Sequence, residues 1–81
     1  MIIEAFDNKG NKYKVGQEVI IKDNPCLWHI INITLDDNDK VKTVCCINKD
    51  MTNGISTNIS KVTLTGNYEP DILKLKRKLA K

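Results

Sequence analysis

Short stretches in which apolar and polar residues alternate follow one another along the chain, separated by clusters of Gly, Pro, Asn and Asp. Alternation with a period of two is the pattern of a half-buried β-strand, and the separating residues are those that turns require. The pattern predicts strands at residues 2–6, 12–15, 18–22, 26–35, 41–47, 55–58 and 63–65. The sequence therefore predicts a mainly β protein of short strands joined by turns.

Two of these segments carry more specific information. Residues 26–35 form the longest apolar run and have apolar side chains on both faces, which predicts a central strand that bends. Asn53-Gly54 favours a type I′ turn, because both central residues of that turn need a positive φ. We therefore expect a hairpin that reverses at Asn53-Gly54, followed by one helical turn at residues 59–62 and a last short strand.

The periodicity changes after Pro70. Ile72, Leu75 and Leu79 recur at the spacing of one helix face, and proline is favourable in the first turn of a helix. Acidic residues precede this segment and basic residues fill its second half, which matches the direction of the helix dipole. The pattern predicts an α-helix over about residues 70–80.

The net charge of +3 lies entirely in this C-terminal segment. The eight lysines and eight acidic residues of the segment 1–68 cancel, whereas residues 69–81 contain five basic and two acidic residues. A chain of 81 residues with 41% hydrophobic and 28% charged residues is typical of one globular domain and excludes a two-domain enzyme. We divide it into a β domain at 1–68 and a basic amphipathic helix at 69–81.

The composition also bears on the compartment. The chain has no apolar run of about 18 residues and no basic start before an apolar segment, which predicts neither a membrane span nor a signal peptide. Of its three cysteines two are adjacent, which disfavours a structural disulfide, so we expect a cytoplasmic protein. The many Ile, Asn and Lys residues are typical of AT-rich genomes, such as those of low-GC bacteria, their phages and plasmids.

Four features follow one another along the chain. They are a Gly-x-x-Val segment at residues 16–19, a predicted strand that contains Trp28, a charged turn at 36–40 and a predicted one-turn helix before the last strand. In these features the segment 15–65 resembles the SH3-like barrels of small bacterial domains, including the KOW type. The resemblance implies a small SH3-like barrel of five to six strands, here with a C-terminal α-helix. The plasmid-borne trimethoprim-resistant dihydrofolate reductase shares this architecture, but its Val-Gln-Ile-Tyr motif is missing from residues 55–59, so we do not expect that activity.

Three groups of residues could carry chemistry, and each has a simpler explanation. Cys26, His29, Cys45 and Cys46 are potential zinc ligands, but adjacent cysteines and strand residues three apart seldom converge on one metal. His29, the only histidine, has no partner that the sequence fixes. The acidic cluster at 36–39 lacks the glycine and glutamate of a calcium loop and reads as a solvated turn. We therefore expect no metal, no cofactor, no small-molecule substrate and no catalytic residue.

The C-terminal helix is the main candidate for a binding site. Its cations are Lys74, Lys76, Arg77, Lys78 and Lys81, and its apolar stripe is Ile72, Leu75 and Leu79. An isolated helix of this length is marginal in water, so its own domain or a second copy must cover the stripe. Trp28 is expected to be a core anchor or an interface residue, with stacking on a nucleobase as the alternative.

These features predict a small non-enzymatic binding module, an accessory factor of a bacterium or mobile element. It would bind a protein partner or associate with itself. The alternative is non-specific binding of nucleic acid through the helix cations, which would release counterions from the phosphates. We do not expect membrane binding, because the helix has no aromatic anchor.

Overall fold

A computed structural model describes residues 2–79, with side chains described for residues 2–75. Within this range the chain forms seven strands, a one-turn 3₁₀ helix and one α-helix. In chain order these are β1 (Glu4–Phe6), β2 (Lys12–Lys14), β3 (Gln17–Ile21), β4 (Leu27–Leu35), β5 (Val41–Asn48), β6 (Gly54–Asn58), the 3₁₀ helix (Ile59–Lys61), β7 (Val62–Tyr68) and α1 (Ile72–Leu79). Every predicted element is present, and the last strand is longer than predicted.

Five strands form one antiparallel sheet in the order β6-β5-β4-β3-β7, and β1 pairs only with β2 in a separate hairpin. The edges of the larger sheet are β6 and β7, and within residues 2–79 no pairing between them closes it. The mainly β class with a C-terminal helix is thus confirmed. A closed barrel of five to six strands is not found in this part of the chain.

The central strand β4 bends, as its two apolar faces predict. Its pairing with β5 changes register between Ile30 and Asn32. Such a shift changes which face the following side chains occupy, because neighbouring strand residues point to opposite sides. Trp28, Ile30 and Ile33 consequently all face the core, although strict alternation would put Ile33 on the opposite face from the other two.

The loop between β5 and β6 differs from the predicted type I′ turn. The side-chain oxygen of Asn48 accepts hydrogen bonds from the backbone N–H groups of Thr52 at 2.9 Å and Asn53 at 3.1 Å. Met51 takes the left-handed conformation, with φ +58°, and Gly54 is already the first residue of β6. The prediction of a reversal at Asn53-Gly54 was wrong, because an asparagine side chain organises a longer loop instead.

One continuous core contains residues from the sheet, from the β2 segment and from α1. Its buried apolar members are Tyr13, Val15, Val19, Ile21, Trp28, Ile30, Ile33, Val41, Val44, Cys46, Ile47 and Ile72. The contribution of α1 is Ile72, which is 2% exposed. Burying one such side chain stabilises a fold by about 1.5–3 kcal/mol, so the helix is anchored to the rest of the domain through this residue.

Gly16 joins three parts of the chain at the corner between β2 and β3. Its N–H donates to the Ile30 carbonyl at 2.8 Å, and its carbonyl accepts from the Glu69 N–H at 2.7 Å. With φ at +105° it occupies a conformation that glycine adopts without steric cost. A β-carbon here would overlap the Glu69 carbonyl oxygen and lie 2.9 Å from the Tyr68 ring. Only glycine fits where the C-terminal segment crosses this corner.

We predict that Gly16→Ala lowers the free energy of unfolding by about 2–4 kcal/mol, since it combines backbone strain with steric overlap. Gly66→Ala is the matched control, because Gly66 has a similar φ of +96° and no atom within 4 Å of its missing β-carbon. That variant should lose only about 1 kcal/mol. Urea unfolding followed by Trp28 fluorescence measures both, and equal losses would show that the close approach of Glu69 is unimportant.

Candidate binding surface

Exposed apolar side chains occur on the chain segments that are linked at Gly16. The Val15 N–H donates to the Ile3 carbonyl at 2.9 Å, which holds the start of the chain at this corner. Tyr68 lies against Gly16, and α1 begins shortly after it. The exposed apolar residues of these segments are Ile2, Ile3, Tyr68 and Leu75, at 38%, 57%, 45% and 39% exposure. We call these four residues the junction patch.

The structure divides the predicted helix stripe between the core and the surface. Ile72 is buried in the core, whereas Leu75 is exposed and belongs to the junction patch. Lys74, beside it, is exposed as well. The remaining predicted residues of the helix lie outside the described side chains; these are Lys76, Arg77, Lys78, Leu79 and Lys81. The described part of α1 therefore packs Ile72 and the half-buried Leu73 on the core and exposes one cation and one apolar side chain, Lys74 and Leu75.

Trp28 lies in the core, with 6% of its surface exposed. Its indole N–H donates to the side-chain oxygen of Asn24 at 3.1 Å, and the same oxygen accepts from the Cys26 N–H at 3.2 Å. The tryptophan thus satisfies its one polar group inside the fold and leaves no free ring face for a nucleobase. We do not include it in the candidate surface.

A bulge in β7 fixes the carboxylate of Glu18. The pairing of β3 with β7 changes register between Gln17 and Val19, which flank this residue, and Gly66 takes a positive φ within the bulge. The Thr65 hydroxyl donates to the Glu18 Oε1 atom at 2.8 Å, and the Asn67 side-chain amide donates to the same oxygen at 3.0 Å. The bulge therefore supplies both donors that hold the carboxylate in place.

These hydrogen bonds favour the ionised form of Glu18. Donors from Asn67 and Thr65 outweigh the opposing effect of partial burial and hold the pKa of Glu18 below its ordinary value. The charges of His29 and Lys49 act in the same direction. Glu18 is consequently a fixed negative charge at neutral pH.

A cavity of about 280 Å³ lies beside this bulge, between β2 and β7, and we call it the bulge cavity. Leu64 and Tyr68 supply its apolar wall. The Lys14 ammonium lies 4.9 Å from the centre of the Tyr68 ring, a cation–π contact. Lys12, also on the cavity wall, pairs with Glu4 at 3.2 Å. The cavity thus combines an aromatic ring with charged groups of both signs.

A second cavity, of about 350 Å³, lies between the β1–β2 turn and the 3₁₀ helix, and we call it the turn cavity. Its lining residues are Asp7, Asn8, Lys9, Asn11, Tyr13, Asn58, Ile59, Ser60 and Val62. The Asp7 carboxylate accepts from the backbone N–H groups of Lys9 at 2.9 Å and Asn11 at 2.8 Å. Burial pushes the pKa of Asp7 upward, but these hydrogen bonds outweigh it and leave the pKa below its ordinary value. The role of Asp7 is to organise the turn.

The four potential zinc ligands do not converge. Cys26 is exposed before β4 begins, and Cys46 faces the core. Cys45 is the neighbour of Cys46 in β5 and therefore points to the other face. His29 pairs with Ile47, also a neighbour of Cys46, and so lies on the opposite face from the Cys46 thiol. Within the described residues no three metal-ligating side chains form a group, and burial raises the pKa of Cys46 to about 12.

The acidic turn between β4 and β5 satisfies its own hydrogen bonds. The Asp36 Oδ1 atom accepts from the backbone N–H groups of Asn38 at 2.8 Å and Lys40 at 3.0 Å. Asp39 takes the left-handed conformation with φ +61°, a backbone region in which Asp and Asn are more frequent than other non-glycine residues. Asp36 therefore stabilises the turn that joins β4 to β5.

Comparison with known proteins adds no relative to this description. No protein-family model matches the chain, and neither the curated proteins nor the solved structures include a significant match. Among residues 2–79 no helix is long and apolar enough to cross a membrane. The candidate surface is accordingly defined by the exposure and position of its residues in this structure.

The contact of Glu18 with Thr65 and Asn67 is not predicted by the sequence pattern. These partners lie 47 and 49 residues away along the chain, so no local spacing reports the contact. The one available signal was Gly66, because an isolated glycine in a strand pattern indicates a bulge. A bulge predicted there would have identified its flanking polar residues as candidates.

We predict that Asn67→Ala raises the pKa of Glu18 toward its ordinary value of 4.5, since the variant removes the larger of the two hydrogen-bond contributions. A lowered native pKa gives stability that is present above the unfolded pKa and lost as the pH falls through the native one. The variant should therefore be less stable than the wild type at neutral pH, and the difference should shrink in acid. A carbon-13 NMR titration of the Glu18 carboxyl group measures the pKa directly.

Thr63→Ala is the matched control for this experiment. Thr63 is exposed on the same strand and makes no side-chain hydrogen bond to Glu18 among the described contacts. Its replacement should leave the titration unchanged. An unchanged Glu18 pKa in Asn67→Ala would show that the bulge does not hold the carboxylate.

Proposed function

We propose that this protein is a small non-enzymatic binding module that binds a protein partner, or a second copy of itself, through the junction patch. One observation carries the proposal. Four of the large exposed apolar side chains belong to segments that meet at the Gly16–Glu69 contact. Contiguous exposed apolar surface with a polar rim is typical of interaction sites, whereas single exposed apolar residues are not informative.

The geometry of α1 supports the same proposal. Ile72 is buried in the core, so the start of the helix is held against the sheet. Leu75 then remains exposed on a short helix that follows the Gly16–Glu69 contact, to which the segments of Ile3 and Tyr68 also belong. Aromatic and aliphatic side chains on a fixed backbone lose little entropy on binding and are favourable anchors. Lys74, which is exposed beside Leu75 in the chain, would add positive charge to the border of the patch.

We further propose that the sheet is an SH3-like domain with an added N-terminal hairpin. The support is the strand order β6-β5-β4-β3-β7 together with the one-turn helix between β6 and β7. Both agree with the resemblance that residues 15–65 carry. A cytoplasmic location in a bacterium or mobile element belongs to the same proposal, and three cysteines without a disulfide support it.

The junction patch is tested by replacing Ile3 and Leu75 together with glutamine. The matched control replaces Ile20 and Leu27 with glutamine, because these residues are 46% and 39% exposed and form a pair on the outer face of the sheet. Sedimentation velocity over a concentration series measures self-association, and affinity capture from the native host measures partner binding. The patch variant should weaken either association by about tenfold or more, which corresponds to about 1.4 kcal/mol, and the control should not.

Two results would contradict the proposal. One is a wild-type protein that stays monomeric and captures no partner. The other is equal weakening by the patch variant and by the outer-face control, because this would show that the effect is not specific to the patch.

The alternative function is non-specific binding of nucleic acid through the C-terminal cations. The favouring observation is that the whole excess of positive charge lies in residues 69–81, of which Lys74 is exposed. Affinity for DNA or RNA should then fall steeply with salt and should drop further when residues 74–81 are deleted. Absence of binding at about 50 mM salt would eliminate this alternative.

A further inference from the structure

We propose that the free edge of β6 pairs with β6 of a second copy of this chain. The two strands would run antiparallel across a twofold axis at Ser56 and join the two sheets into one continuous sheet. None of the four residues of the junction patch belongs to β6. The inference therefore goes beyond the proposed function and does not depend on it.

β6 has one neighbour in the sheet. It pairs with β5 through five residue pairs, from Thr43 with Asn58 to Ile47 with Gly54, and within residues 2–79 no other strand pairs with it. The β1–β2 turn lies across the turn cavity from Asn58, yet in the described part of the chain no backbone hydrogen bond joins that turn to residues 54–58. Alternate N–H and C=O groups of β6 therefore point away from β5 without a backbone partner.

The sequence of β6 lacks the features that ordinarily protect a strand edge. Such features are charged side chains, proline and bulges. Residues 51–60 contain no charged residue and no proline, although 28% of the chain is charged, and the pairing of β6 with β5 has no register shift. Residues 24–35 are also without Asp, Glu, Lys or Arg, but they contain β4, which has a strand on each side. β6 thus has the composition of a strand with two neighbours.

The opposite edge of the same sheet is protected. β7 is uncharged as well, but its pairing with β3 contains a register shift, and Gly66 takes a φ of +96° in the bulge. A bulge bends and twists a strand, which interrupts the regular row of N–H and C=O groups that an added strand needs. The two edges are therefore unequal, and β6 is the one suited to further pairing.

A second copy fits this edge better than an unrelated strand. Pairing of β6 with itself uses both unprotected edges at once and leaves only the two bulged β7 edges outermost, so the assembly closes as a dimer. An unrelated strand would instead become the new outermost strand and leave its own far edge open. Closure is the reason that the inference commits to this protein as its own partner.

The side chains of β6 are compatible with a twofold axis at Ser56. Each Ser56 would face its counterpart, and Gly54 would lie opposite Asn58 of the second copy. Ile55 would lie opposite Thr57, and these two residues share the less exposed face of β6. No charged pair is brought together within the paired strands, so neither repulsion nor an unpaired charge opposes their approach.

The paired segment is short, which predicts a weak dimer. Interfaces much smaller than the standard size belong to transient complexes, so we expect a dissociation constant of about 0.1–1 mM. Sedimentation velocity over a concentration series should show the association. In NMR spectra the amide resonances of residues 54–58 should shift with concentration, and a mixture of labelled and unlabelled protein should give contacts between residues 54–58 of the two copies.

The contact at the axis is tested by Ser56→Lys, with Thr63→Lys as the matched control. Both residues are exposed, and both variants add one positive charge, but Thr63 lies on the opposite edge strand. Two lysines directly opposite each other at the axis should weaken the dimer by about fivefold, and the control should weaken it by about twofold at most. Circular dichroism of both variants verifies that they are folded.

A mixing experiment tests whether the two copies of residue 56 meet. Ser56→Glu alone should also weaken the dimer, because it opposes two carboxylates. An equimolar mixture of Ser56→Lys and Ser56→Glu should associate within about twofold of the wild type, because opposite charges then face each other across the axis.

Three results would overturn the inference. These are a wild-type protein that is monomeric at about 1 mM, equal weakening by Ser56→Lys and Thr63→Lys, and a mixture that associates no better than either variant alone. A dimer that the glutamine variant of Ile3 and Leu75 abolishes, but Ser56→Lys does not, would place self-association at the junction patch and would also overturn it. Because the patch variant leaves β6 unchanged, the two proposals can fail independently.

Discussion

The backbone contact between Gly16 and Glu69 determines where the last part of the chain can lie. Gly16 turns the chain from the hairpin into the sheet and, without a side chain, lets Glu69 approach to hydrogen-bond distance. That approach brings Tyr68 onto the corner and directs Ile72 into the core. The buried anchor of α1, the exposed junction patch and the end of the β7 edge are therefore consequences of one close contact.

Local chemistry was sufficient to predict the elements but not their registers. Alternating apolar residues identified every strand, and the spacing of Ile72 and Leu75 identified the helix. The two wrong or incomplete predictions concern places where a side-chain hydrogen bond or an extra strand residue interrupts regular backbone pairing. Asn48 closes a loop that Asn53-Gly54 alone would have closed as a tight turn, and a register shift in β4 returns Ile33 to the core. Periodicity contains no information about either event.

The candidate site shows the same division between local and long-range information. A helix with an apolar stripe predicts that something covers the stripe, and the burial of Ile72 agrees with cover by its own domain. The spacing does not report that Leu75 stays exposed while Ile72 is buried, because both residues belong to the same predicted stripe. The hydrogen bonds that Thr65 and Asn67 donate to Glu18 form only because β3 and β7 pair, although nearly fifty residues separate them along the chain. Sites built across such contacts need the fold before they can be recognised.

The zero net charge of residues 1–68 is a sum over eight lysines and eight acidic residues, whereas binding of a charged partner depends on where these charges lie. The lysines of the β1–β2 hairpin and the aspartates of the β4–β5 turn cancel in that sum, yet Lys12–Glu4 is the one ion pair among the described residues. Screening by salt limits the reach of exposed charges to about 10 Å, so charges farther apart than this do not neutralise each other at a binding surface. The two cavities of the neutral segment are lined by charges of both signs, so the basic C-terminal segment is the place where negative charge of a partner would be favoured.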